Sequence, residues 1–171
     1  MSGLEAYSVG FNMLGIDDAE FIVDFTQRFD FGGKYVLPEM LELLSSLRKM
    51  PGIELAILSN HANQLKITLR KEGLIPQYFK DDLVIVSALV GLRKPEASMF
   101  EYCLKTLGPS VATEDVLFID NRRVNVEGAE AMGISSILYL FDASKCGPKG
   151  EGDKSVGELS QDIMSWISCN N

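Results

Sequence analysis

The stretch Val116-Leu117-Phe118-Ile119-Asp120 constrains this chain more than any other. An apolar run with no polar alternation suits a strand buried on both faces, as inside a parallel sheet. The run ends at Asp120, and a helical pattern follows. Val126, Ala129 and Met132 stand three apart, with Gly133 just past the end. Asp120 therefore falls at a strand-to-helix turn, the edge where open α/β sheets bind ligands. Two readings of it stand side by side: a carboxylate that holds a metal or orients a ligand, and a helix N-cap with no chemistry.

Two upstream stretches have the same layout. Ile53–Leu58 is a mostly apolar strand ending in Ser59-Asn60, and a helix is expected to run from there to about Glu72, with Gly73 as its cap. Ser59 is then expected at a helix N-terminus, where free N–H groups favour an anion; an ordinary Ser N-cap is the plainer reading. Farther on, Gly91-Leu92-Arg93-Lys94-Pro95-Glu96 delivers a lysine to the start of another helix, whose buried face is Phe100, Leu104 and Leu107. A cation at that pole is disfavoured unless an anion faces it. A solvated surface lysine is the alternative.

The other elements follow in order. Pro38 opens a helix with Met40, Leu44 and Leu47 on one face, ended by Pro51-Gly52. Leu83–Val86 is a short buried strand, and Leu74–Lys80 and Ala88–Arg93 read as loops. Ser135–Leu140 is the last strand. Residues 143–153 read as a loop, and Ser155 with Glu158 forms a capping box for a final helix carrying Leu159, Ile163, Trp166 and Ile167. Strands alternating with helices predict an α/β fold: a Rossmann-like, doubly wound parallel sheet.

The chain has 171 residues, of which 46% are hydrophobic, enough for one domain's core. A formal net charge of −8 argues against a nucleic-acid partner, which needs clustered basic charge. No stretch is long and apolar enough to span a membrane. Cys103, Cys146 and Cys169 are scattered and in no metal spacing, which fits free thiols in a reducing, cytoplasmic setting. His61, the lone histidine, cannot build a metal site by itself and reads as a helix first-turn residue near a pocket rim.

Strand-Ser59-Asn60, then Lys94-Pro95, then strand-Asp120-Asn121 with Asn125 beyond, taken in this order over about Leu37–Leu140, resembles the haloacid-dehalogenase-like hydrolase superfamily. The resemblance implies a phosphatase acting on a small phosphate monoester through an aspartyl-phosphate, with a haloacid the less expected substrate. It implies phosphoryl contact for Ser59 and Asn60, charge neutralisation by Lys94, and Mg2+ held by Asp120 and Asn121. Asn125 is a possible addition to the site.

The sequence departs from the family pattern in two places. Asn121 stands where many relatives carry a second Asp. The first motif, a strand with Asp-x-Asp that supplies the nucleophile, is not recognised. Residues 1–36 are expected to be the remnant of a helical cap or a replacement segment, and residues 37–171 an incomplete core lacking its central strand. The alternation Tyr7-Val9-Phe11-Met13 could fill the gap, as could a second copy of the chain, or the sequence could be a fragment of a longer protein. Without a nucleophile the chain is expected to be inactive. The rivals are a non-catalytic phosphate- or partner-binding module and an active enzyme using Asp24. Against Asp24, the Asp17–Glu20 capping box and Phe21, Phe25 and Phe29 at helical spacing favour a helix there. An unrelated doubly wound nucleotide binder is unsupported, since no Gly-rich phosphate loop is present.

Overall fold

The computed structural model describes residues 37–140 and 154–170. The expectations for Asp24, Tyr7–Met13, Cys146 and the 143–153 loop lie outside these residues. By contacts the chain divides into two compact units, one holding Leu47–Gly91 and the other holding Pro38–Ser46 together with the described residues from Leu92 onward. Helix α1, Pro38–Arg48, begins at the proline as the sequence predicts.

In the first unit, strand β1 (Ile57–Ser59) pairs in parallel with β2 (Val84–Val86), in the register Ile57 to Val84 and Ser59 to Val86. Parallel strands need a crossover. Here it holds helix α2 (Gln64–Lys71) and the short α3 (Leu74–Gln77), and β2 runs straight into the four-residue α4 (Ser87–Val90). Leu74, Ile75, Tyr78, Phe79 and all of β2 are buried. The ladder begins only where the Ile57 N–H reaches the Leu83 carbonyl at 2.9 Å, so β1 is shorter than the apolar run that announced it. The segments around Leu74 and Ala88, read as loops, contain single helical turns; four residues are too few to show a 3.6-residue period.

In the second unit, helix α5 (Ala97–Leu107) precedes strand β3 (Leu117–Asp120). Helix α6 (Arg123–Glu130) then leads to strand β4 (Ser135–Leu138), which pairs in parallel with β3 from Leu117–Ser135 to Asp120–Leu138. The core of α5 is Met99 and Phe100, both at most 1% exposed, whereas Leu104 and Leu107 are half-buried. The period was legible, but the buried stripe lies nearer the helix start than expected. Helix α7 (Val156–Asn170) opens on the predicted capping box: Ser155 donates through N and Oγ to Glu158 Oε2, and the Glu158 N–H donates back to Ser155 Oγ at 3.2 Å. Both strand pairs are parallel and connected through helices, as a Rossmann-like α/β fold requires. Among the described residues, no helix is long and apolar enough to cross a membrane.

Candidate functional site

Asp120 is the last residue of β3, and its carboxylate is the hub of the second unit. Lys94 Nζ donates to Oδ2 at 2.6 Å. Oδ1 accepts the Arg122 backbone N–H at 2.8 Å and Asn125 Nδ2 at 3.0 Å. The Lys94 and Asp120 side chains are each 7% exposed. Burial alone would push the Asp120 carboxyl up, but the hydrogen bonds from Lys94, Arg122 and Asn125 and the ammonium charge outweigh it. The group titrates below its ordinary value.

Lys94 is therefore not a solvated lysine, and it does not sit at a helix N-terminus. Helix α5 starts at Ala97, with Glu96 as its N-cap in extended conformation. The extended backbone at Glu96 puts the helix start two residues past Pro95. The anion facing Lys94 is the chain's own Asp120. Its ammonium also stands 5.2 Å from the centre of the Phe118 ring, within cation–π range. Phe118 in turn meets Phe100 edge-on, with centroids 5.4 Å apart.

Asp120 is likewise no N-cap. Arg122 holds that place, and Asp120 bonds the backbone two residues on, an Asx turn. That signal was available in the sequence, because a carboxylate two residues before a helix start commonly closes on itself in this way. Asn125, in the first turn of α6, is 3% exposed, and its Oδ1 is buried with no hydrogen-bond partner. Asn121 is exposed.

Ser59 and Asn60 belong to the first unit. Ser59 ends β1 half-buried and Asn60 is exposed. The expected helix N-terminus at Ser59 is corrected: α2 begins at Gln64, with Asn63 in the N-cap position, so His61 precedes the helix. Residues 60–63 form an irregular link, held by Ser87, whose Oγ accepts the His61 N–H. Sequence reasoning missed this Ser87 contact, which joins residues 26 apart and has no local signature.

Of the residues singled out from sequence, the structure brings Lys94, Asp120 and Asn125 together in one unit. A cation beside a carboxylate that already accepts three donors can neutralise a ligand's negative charge. The Asp120 carboxylate itself is a poor nucleophile, because its lone pairs and charge are committed.

A family model described as haloacid dehalogenase-like hydrolase matches residues 14–133, well over half of the chain. A ribulose-1,5-bisphosphate 5-phosphatase from Halopiger xanaduensis is 29% identical over 140 residues, covering 76% of this chain and 57% of that protein. Among solved structures, a HAD phosphatase from Thermococcus onnurineus superposes with a TM-score of 0.66 at 22% identity, over 92% of this chain and 70% of that one. A Bacillus subtilis HAD-hydrolase solved bound to magnesium superposes with a TM-score of 0.63 at 22% identity, over 85% of this chain and 64% of that one. The chain spans less than two thirds of the length of the curated relatives it matches.

Proposed function

Because the chain belongs to the haloacid dehalogenase-like hydrolases, we propose that Lys94 and Asp120 are the charged part of a phosphatase-type site for a small phosphorylated molecule. The observation that carries this is the buried Lys94–Asp120 pair at the C-terminal end of β3. Burying a charge is costly unless it is paired, and lysines are almost never buried for packing alone. A phosphoryl group arriving at Lys94 would compete with Asp120 for the ammonium. Stabilising charge in a site shielded from water is the largest contribution such a site can make. The resemblance also assigns phosphoryl contact to Ser59 and Asn60, which belong to the first unit.

The chain by itself is proposed to bind phosphate rather than turn it over, because Asp120, committed to three donors, is not an attacking group. The second reading, an active enzyme, assigns the nucleophile to Asp24. The resemblance implies Mg2+, but the described residues do not make a Mg2+ site as they are arranged. They contain no group of three His, Cys, Asp or Glu placed to hold a metal. Mg2+ takes near-octahedral oxygen ligands. Both Asp120 oxygens already accept donors, one from the Lys94 ammonium and the other from the Arg122 N–H and Asn125 Nδ2. Further carboxylates and a displaced Lys94 would be needed.

The test is calorimetric titration of the chain with inorganic phosphate, with and without Mg2+, beside a phosphate-release assay over small phosphate monoesters. Binding that weakens in Lys94→Ala and in Ser59→Ala, with no release, is the expected result. The Ser59 variant leaves the buried pair intact and so guards against a folding defect. Release abolished by Asp24→Asn would establish the second reading. No binding and no release from a folded chain would sink both.

A further inference from the structure

Helix α6 touches both ends of the Lys94–Asp120 pair. At one end, Asn125 Nδ2 donates to Asp120 Oδ1 at 3.0 Å. The amide orientation is dictated by this bond, because the flipped amide would set an oxygen against a carboxylate. At the other end is Gly128, three residues on and so on the same helix face. A Cβ placed on Gly128 would lie 2.8 Å from both Pro95 Cβ and the Pro95 carbonyl oxygen, and 3.3 Å from Phe100 Cε2. Pro95 follows Lys94 directly in the chain. The backbone that carries Lys94 thus rests against α6 at a point where only a hydrogen fits.

We propose that Gly128 and Asn125 are positioning residues, and that one face of α6 sets the distance between Lys94 and Asp120. Glycine inside a helix costs about 1 kcal/mol relative to alanine, so its presence here needs a packing reason. The Pro95 contact supplies it. Adding a methyl group would push Pro95 away, and a backbone oxygen yields less easily than a side-chain tip. A long lysine usually absorbs such a shift through its rotamers. Lys94 has little such freedom, being 7% exposed on its side chain and lodged between Asp120 and the Phe118 ring. Asn125 acts from the other side by holding one carboxylate oxygen, which keeps the other turned toward the ammonium. Neither residue is proposed to touch a substrate. The inference deepens the phosphate-site reading but depends on it only in its binding arm.

The test reads the Lys94 ammonium itself. A buried, hydrogen-bonded Nζ exchanges its protons slowly enough to give a distinct 15N–1H signal in the full chain, and loss of that signal in Lys94→Met assigns it. In Gly128→Ala and in Asn125→Ser the signal is expected to be lost to exchange while the backbone amides of β3 and β4 keep their positions. Inorganic phosphate binding should weaken in parallel. If Gly128→Ala does not fold, Pro95→Gly removes the ring-carbon part of that contact from the loop side without adding volume, and the same loss is expected. An unchanged Lys94 signal in the folded Gly128 or Pro95 variant, or in Asn125→Ser, overturns the inference. If the wild-type chain binds no phosphate, the functional reading fails, and the ammonium signal still decides this one.

Discussion

Ser87 Oγ closes on the backbone of His61 twice, accepting its N–H at 3.0 Å and donating to its carbonyl at 3.1 Å. Because His61 lies two residues beyond Ser59, this hydroxyl helps fix how the chain leaves β1, alongside the Ala88 N–H, which donates to the same His61 carbonyl at 3.3 Å. Ser87→Ala removes both bonds and should cost about 1–2 kcal/mol. Amide exchange is the check. His61 should exchange faster in the variant, while Ile57, bonded to the Leu83 carbonyl at 2.9 Å, should not.

Asp120 predicts the acid limb of stability. Its folded carboxyl titrates below the ordinary 3.8. The stability it contributes is therefore fully present above the unfolded value and is lost as pH falls through the lower, folded one. Urea titrations from pH 7 down to below about pH 4 should show that loss. Asp120→Asn should flatten this part of the profile, and an unaltered acid limb would refute the assignment.

At pH 7 the same pair should behave as a coupled unit. Asp120→Asn removes the carboxylate charge that Lys94 meets at 2.6 Å inside the protein, at an expected cost of about 3–5 kcal/mol. Lys94→Met combined with Asp120→Asn removes both charges and should recover much of that cost. A double-mutant cycle from urea unfolding measures the coupling directly. Additive costs would contradict a direct interaction.

The thiols should separate by reactivity. Burial pushes the Cys103 thiol up to about 11, against a smaller opposing effect of Lys94. Thiolate is the reacting form. Cys169 is exposed. Iodoacetamide at about pH 8 should therefore label Cys169 well before Cys103, as read by peptide mass spectrometry. Equal rates would count against the burial.

The features legible in the sequence were the local ones. Pro38 at a helix start, Ser155 with Glu158 as a capping box, and the apolar run closing at Asp120 all act within a few residues, and each lies where it was read. Asp120 and Lys94 were each singled out, but their contact spans 26 residues and no local pattern encodes it. Pro95 and Glu96 suit a first turn, so the sequence points to a helix start at Lys94; extended backbone at Glu96 delays the helix to Ala97. Ser59 was brought too close to its helix because nothing in Asn60–Asn63 marks a non-helical link. Gly128 passed unnoticed, since a glycine's reason is what lies opposite it, and Pro95 comes from another part of the chain.

Phe118 belongs at once to the apolar packing against Phe100 and to the surroundings of the Lys94 ammonium. Cores ordinarily drift, exchanging one large apolar residue for another of similar volume at little cost. That freedom is curtailed at residue 118. Leucine or methionine could occupy much of the space, but neither offers a cation the face of a π system. The charge chemistry of the pair thus favours aromatic rings at this half-buried strand position.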